Sequence, residues 1–521
     1  MTMRTTAGKL LAFGVAGFVL CAGLAGCKKK EDAAAPAAAT ATATLNAADV
    51  EKWSDETFGK ILADHRVSAL AISVTEGDKV VFTKGYGYAD WANKTPVSPE
   101  TTQFRIASLT KTFVGTAVAQ LLESGKIASL DDPVNKYLKR FQLKNSTGKD
   151  VTIWNLLTHR GGLAMVAVTV ANEDGPDRPK HLLAGDYIAA RMPEVVREPG
   201  TLSHYCNPCT ATLGFMVEDI TGQTLQDYMK EHVYTPLGMT HTEITNAPHP
   251  GPDVVTQYAF VPDGAPVALP YPVITPAFSY AGDTNSTAVD MSKWLIAHTM
   301  GANGPGAKIL SAKGFDLMHS RKAGNVDDES GFGMQFFIYD YNGEKVMEHY
   351  GSLAFRSMEF FMMNKKIGVF VTFGGGGPAP ARVVPPAAGL APEPGPVEPA
   401  MSHSGVRALV LEHFLGKLPL KPDLKLDAAK YVGTYHSIPA NPNDKPGGAP
   451  MTVVDSGDGG LVIAGVGVYR PSGPDEFTLD GPLPLQAGFR DSNKFKFTTE
   501  PNGAMRMWEH VNAGGLERDP S

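Results

Sequence analysis

Strand-like runs stand at both ends of a long helical stretch, and this arrangement restricts the fold more than any other feature of these 521 residues. Apolar and β-branched residues dominate 67–74 and 79–84, which are joined by Glu76-Gly77-Asp78 in hairpin fashion. The same texture returns at 335–339, 345–349, 358–364 and 367–373. Between these ends the apolar spacing turns helical. Phe113, Val114, Ala117, Val118, Leu121 and Leu122 predict a buried helix over 110–122, ended near Gly125. Further helices are expected from about Pro208 to Gly222 and over 288–298, and Asn46 is a natural cap for an N-terminal one. Strands flanking helices in this order predict one antiparallel sheet closed by early and late segments, an α+β architecture.

The remaining segments divide the chain. Arg4 and Lys9 precede an apolar run, 10–24, that is short for a membrane span of ~20 residues. The run ends in Leu24-Ala25-Gly26-Cys27, similar to the bacterial lipobox, so 1–27 reads as a signal segment and Cys27 as the lipidated residue. Residues 28–46 have tether composition. This predicts a protein anchored by lipid on the periplasmic side of a membrane, the outer membrane favoured over the inner. Several acyl chains on one residue give firmer anchoring than one. Residues 47–417 hold the main domain, interrupted at 374–401 by a stretch with four consecutive glycines and eight prolines that cannot build a core. A helix over 406–415 is expected to cover the sheet. From 427 to 521 short alternating runs between Gly, Pro and Asp turns predict a small all-β barrel or sandwich. A net charge of -7 argues against a nucleic-acid partner, which demands a basic face.

Phe104-Arg105-Ile106-Ala107-Ser108-Leu109-Thr110-Lys111 places a serine and a lysine three apart where the apolar helix begins. That spacing puts both side chains on one helix face. A helix N-terminus offers free amides to an oxyanion, and a desolvated lysine loses its proton more easily. Ser146-Thr147-Gly148-Lys149 repeats the pattern in a polar loop with no apolar helix behind it. Tyr205-Cys206-Asn207 is the single Tyr-x-Asn among sixteen tyrosines. A phenol can shuttle a proton and an amide can bond a substrate carbonyl. Cys206 and Cys209 flank Asn207-Pro208, and a structural disulfide and two unrelated thiols are equally open readings, with redox catalysis a distant third. Two cysteines without a paired histidine motif assemble no zinc site, so no metal and no cofactor are expected.

The order Ser-x-x-Lys, Tyr-x-Asn and a later strand-borne element resembles the class C β-lactamase and penicillin-binding-protein-like serine hydrolases. Gly85-Tyr86-Gly87-Tyr88-Ala89-Asp90, Leu130-Asp131-Asp132-Pro133-Val134, Leu156-Leu157-Thr158-His159 with Gly161-Gly162-Leu163, and Pro236-Leu237-Gly238-Met239 are similar to family segments in family order. The resemblance implies a five-stranded antiparallel sheet packed with a helical domain, the site lying between them. It also implies acylation of Ser108, proton handling by Lys111 and Tyr205, and substrate contact by Asn207. The tail from Tyr431 is similar to the small β domain often appended in this family. The family's Lys-Thr-Gly strand is missing. His-x-Gly, found in esterase and D-amino-acid peptidase members, occurs at His159-Gly161, His349-Gly351 and His403-Gly405. Only His349 ends a strand-like run, so His349, Gly351 and the Ser352 amide are assigned as near wall and second oxyanion donor. The expected activity is hydrolysis of an amide or ester, with small molecules or D-amino-acid peptides such as peptidoglycan stems as substrates. The alternatives are a β-lactamase and a non-catalytic peptidoglycan-binding lipoprotein.

Overall fold

The computed structural model describes residues 44–519 apart from 64–66, 165, 167–184, 246–250, 260–265, 272–273, 327–329, 354, 375–400, 422, 440–446, 484–491 and 510–514. The signal segment with Cys27, most of the 28–46 tether and nearly all of the 374–401 insertion therefore lie outside the described residues. Among the described residues no helix is long and apolar enough to cross a membrane.

The chain enters through helix α1 (Ala47–Ser54), where the Asn46 side chain accepts the Ala48 amide at 2.8 Å. A hairpin follows, β1 (Ala69–Glu76) and β2 (Lys79–Asp90), then the two-residue β3 (Thr95–Pro96). The late strands are β4 (Gly331–Phe332), β5 (Phe337–Tyr341), β6 (Glu344–Ser352), β7 (Phe355–Met362) and β8 (Ile367–Gly374). Together they form one antiparallel sheet in the order β3-β2-β1-β8-β7-β6-β5-β4. Strand β1 pairs with β8 from Ala69↔Gly374 to Glu76↔Ile367, which is the closure of early and late segments expected from the pattern. The sheet has eight strands rather than five. Two of the three additional strands, the edge strands β3 and β4, are two residues long and contain Pro96 and Gly331, so they carry no alternation that a sequence pattern registers.

Both faces of the central strands are covered, and period-two alternation sends their residues to two different cores. Ala69, Ala71, Met347, Phe361 and Phe370 face the helical domain, while Leu70, Ile72, Val74, Val346, Phe360, Met362 and Val369 face the layer built by α1 and α5 (defined below). The helical domain centres on α2 (Thr110–Glu123), whose residues from Thr110 to Ala119 are all buried, with α3 (Asn207–Thr221) and α4 (Ala288–Met300) against it. A helix buried on nearly every side has no solvent-facing stripe, which is why its pattern shows little contrast between one face and the other. Helix α5 (His403–Leu415) starts at a Ser402 cap bonded to the Gly405 amide at 2.9 Å and lies on the far face of the sheet. The buried Arg407 of α5 grips Glu348 of β6, Nη2 to Oε1 at 2.6 Å, fixing the strand that ends at the site.

The C-terminal segment is a closed barrel of eight strands between Gly433 and Arg518. Tyr435, Val453, Tyr469, Phe477, Phe495, Phe497 and Met507 fill it, and Ala408 of α5 joins that core. Closure removes exposed strand edges, so a small all-β unit survives without open pairing groups.

Candidate active site

The serine turn sits where three elements converge. Phe104–Arg105 pairs with Thr284–Ser286, and the Ile106 amide bonds the Thr284 carbonyl at 2.9 Å. Ala107 then takes a left-handed φ of 48°, a conformation costing roughly 1–2 kcal/mol for a residue with a Cβ. The turn Ala107–Leu109 leads straight into α2. Ser108 is partly exposed while its neighbours on both sides are buried.

Lys111, one turn later, is fully buried. Its Nζ donates to Ser108 Oγ at 3.0 Å and to the Ala281 carbonyl at 2.5 Å. No carboxylate among the described residues pairs with it, and burial alone pushes its ammonium well below the usual lysine range. Tyr205 lies across from it, with Lys111 Nζ 5.0 Å from the ring centroid. The Tyr205 hydroxyl is buried. Burial raises this phenol far above its ordinary value, and the neighbouring Ser108 hydroxyl works in the opposite direction. Serine, lysine and tyrosine therefore meet in space, and burial disfavours the charged form of both the lysine and the tyrosine.

Asn207 is the partly exposed first residue of α3. The residue before it, Cys206, caps that helix by accepting the Cys209 amide at 3.1 Å. Cys206 and Cys209 are joined in a disulfide with sulfurs 1.99 Å apart, closing a four-residue loop directly after Tyr205. The sequence left this pairing open because spacing alone does not fix Cα positions; here they lie 5.3 Å apart, within bridging range.

Strand β6 brings its end against the serine turn. A Cβ on Gly351 would stand 2.1 Å from the Ile106 carbonyl and 3.0 Å from the Ser108 amide, so only glycine permits this approach. Ser352, the next residue, is exposed beside it. The end of β6 thus runs alongside the Ser108 amide, an arrangement from which two backbone donors can serve one oxyanion. His349 departs from its expected place. It is fully buried, so its ring is not a wall that substrate touches. Its Nδ1 donates to the Tyr350 carbonyl at 2.8 Å, which leaves Nε2 as a buried lone pair. Burial, with Lys111 and His159 adding to it, holds this imidazole well below its ordinary range and therefore neutral. The strand pattern located His349 correctly in the chain but carried no information about depth.

The other His-x-Gly histidines, set aside in the sequence, also meet this site. His403, at the start of α5, donates Nε2–H to the Gly351 carbonyl at 2.8 Å. His159 lies 4.7 Å from the Tyr205 ring, centroid to centroid. A further match, His249-Pro250-Gly251, begins outside the described residues. Ser146 and Lys149 stay apart from the site: Lys149 is exposed and pairs with Glu198 at 3.0 Å. No group of three or more His, Cys, Asp or Glu that could hold a metal is found among the described residues.

With this geometry in place, the likeness to known proteins has a physical basis. The family model described as Beta-lactamase matches residues 54–391, more than half of the chain. The chain belongs to the beta-lactamase family. This beta-lactamase family member is 28% identical over 289 residues to PbpX of Bacillus subtilis (strain 168), covering 55% of this chain and 66% of that one. It is 30% identical over 195 residues to protein flp of Staphylococcus aureus (strain MW2), covering 37% and 38% of the two chains. The match thus spans under two thirds of either relative. Among solved structures it is similar in fold to the octameric penicillin-binding protein homologue from Pyrococcus abyssi. That match has a TM-score of 0.56 and 22% identity, over 90% of this chain and 100% of the other. EstCE1, a hydrolase with promiscuous acyltransferase activity, matches with a TM-score of 0.52 and 19% identity over 63% and 94%. The family match and the observed topology agree with the expected α+β fold with an all-β C-terminal region.

Proposed function

We propose that this protein hydrolyses an ester or amide through an acyl-enzyme on Ser108. The observation that carries the reading is the contact of Ser108 Oγ at 3.0 Å with the buried amine of Lys111, which has no carboxylate partner among the described residues. Burial destabilises its ammonium and so favours loss of its proton, and in this reading Lys111 takes the Ser108 proton as Oγ attacks the carbonyl carbon. The oxygen of that carbonyl becomes an anion facing the Ser108 and Ser352 amides. Tyr205, protonated in the resting state, passes a proton to the departing alkoxide or amine and recovers it from the Lys111 side. Water then attacks the acyl carbon, and the same groups return the proton to Ser108. Asn207 contacts the acyl side of the substrate.

Peptides or esters of D-amino acids are the favoured substrates, supported by the likeness to penicillin-binding-protein homologues and by His-x-Gly in place of Lys-Thr-Gly. A neutral, buried His349 supplies no fixed cation for a carboxylate, which favours neutral esters and aminopeptides over β-lactams. The lipobox-like Leu24-Ala25-Gly26-Cys27 supports placement of this activity at a periplasm-facing membrane surface, within reach of peptidoglycan stems. A panel of nitrophenyl esters, D-alanyl peptides and nitrocefin, with intact-mass detection of the acyl-enzyme, tests the reading. A mass increment on Ser108 with ester or peptide turnover supports it; the absence of any increment with every member of the panel leaves a binding lipoprotein instead.

A further inference from the structure

His159 stands just beyond the helical turn Ile153–Leu157, in a left-handed backbone with φ 55°. Its carbonyl accepts the His204 amide at 2.9 Å, and its Nδ1 accepts the Cys206 amide at 3.1 Å. Those two amides belong to the residues on either side of Tyr205. The imidazole itself lies against the Tyr205 ring, centroids 4.7 Å apart at 32°, and its other neighbour is Phe332 at 4.8 Å. The loop leaving His159 is drawn in tightly: a Cβ on Gly161 would approach Cys209 Sγ at 2.9 Å, and one on Gly162 would meet the Arg197 carbonyl at 2.1 Å. The disulfide, the glycine pair and His159 therefore form one packed unit behind the tyrosine.

We propose that His159 is the positioning residue for Tyr205, clamping the backbone on both sides of it and setting the plane of its ring. This rests on the reading of Tyr205 as the proton shuttle. The clamp requires an acceptor at Nδ1, hence a neutral ring with its proton on Nε2. Burial, with Lys111 and His204 adding to it, keeps the ring in that form by lowering its pKa to about 3. Phe332 and the Tyr205 ring both pack against the imidazole, so the side chain contributes two separable things, an acceptor and a flat face.

A double-mutant cycle tests the clamp. His159→Leu removes the acceptor and the ring. We expect acylation to slow about 10–100-fold with KM within about twofold, as for a displaced acid–base group. His159→Asn places an amide oxygen near Nδ1 and tolerates left-handed backbone, so it recovers most of the rate. In a Tyr205→Phe background His159→Leu adds little, because the group being positioned is already gone. Equal losses in both backgrounds, or a His159→Leu rate near wild type, overturn the proposal. If His159→Leu does not accumulate as folded protein, His159→Gln, whose amide sits beyond the Nδ1 position, replaces it in the same cycle. The two readings fail separately. A Tyr205→Phe enzyme at wild-type rate removes the shuttle itself, whereas a slow Tyr205→Phe with a normal His159→Leu removes only the clamp.

Discussion

The chain carries the pattern Ser-x-x-Lys twice, and the two copies sit in opposite surroundings. At Ser108 the pattern opens a buried helix, its lysine is fully buried, and the amine meets the serine oxygen at 3.0 Å. At Ser146 it spans a polar turn in which the Asn145 side chain bonds the Lys149 carbonyl at 2.7 Å, and Lys149 turns outward to Glu198. An exposed ion pair of that kind is worth about 0–1 kcal/mol and alters no chemistry. The four residues are alike in type; the difference is desolvation. Burial makes a lysine a poor cation and therefore a usable base, while solvent makes it an ordinary charge.

The largest effect expected from this contrast is all-or-none. Ser108→Ala should abolish turnover and labelling by a fluorophosphonate probe with the fold intact, while Ser146→Ala should change neither. Label that persists in Ser108→Ala, or that maps to Ser146, breaks the comparison. Next come the bases. Lys111→Ala and Tyr205→Phe should each slow acylation at least ~100-fold, in line with acid–base contributions, and Lys149→Ala should stay near wild type. Single-turnover rates of acylation decide this. A Lys111→Ala enzyme of normal rate would reduce that lysine to packing.

Burial has a further consequence that extends the contrast to stability. His159, His319 and His403 are each held down to about 3 by burial, against an ordinary value of 6.5. Between those limits the unfolded chain binds protons that the folded one refuses. Stability is therefore complete above about pH 6.5 and falls as pH drops toward 3, by up to about 1.4 kcal/mol per pH unit for each histidine. Glu359 acts in the other direction: burial raises it to about 8, so its contribution is lost between pH 4.5 and 8. With more buried histidines than raised carboxyls, Tm should decline from pH 6.5 to 5; a Tm that is flat across that interval would contradict the neutral, buried state of these rings. His349 is held neutral as well, so the ratio of β-lactam to ester kcat/KM should not vary between pH 5.5 and 8 on its account. The smallest effect concerns the disulfide. Closing so short a loop contributes at most ~2 kcal/mol, so reductant should lower Tm slightly and leave low-temperature activity unchanged. Thiol counting on denatured, unreduced protein checks the bridge, and activity that requires free thiols would reassign the site.

Much of the site was legible in advance because its residues are local signals. Ser108 and Lys111 share one helix face, Tyr205 and Asn207 flank a helix start, and Gly351 ends a strand; each follows from spacing and element type. The closed sheet was legible too, since long alternating runs at 67–84 and 335–373 leave few other pairings. Two-residue edge strands were not, because periodicity needs length. Depth was not legible either. His349 and His403 share the His-x-Gly pattern, yet one is buried with its ring 6.0 Å from that of Tyr205 and the other holds the Gly351 carbonyl from α5, 52 residues away in the chain.

By itself, then, the sequence determined which side chains are present, which elements carry them and in what order those elements come. The tertiary structure alone decided that Lys111 is fully buried, that His349 is buried and neutral, and that His159 bonds the amides on both sides of Tyr205. The reason is physical. Helix and strand periods are set by neighbours within a few residues, whereas desolvation and hydrogen-bond partnership depend on whatever the folded chain brings alongside. A lysine's pKa, a histidine's tautomer and the angle of a tyrosine ring are properties of that enclosure, and no local pattern encodes them.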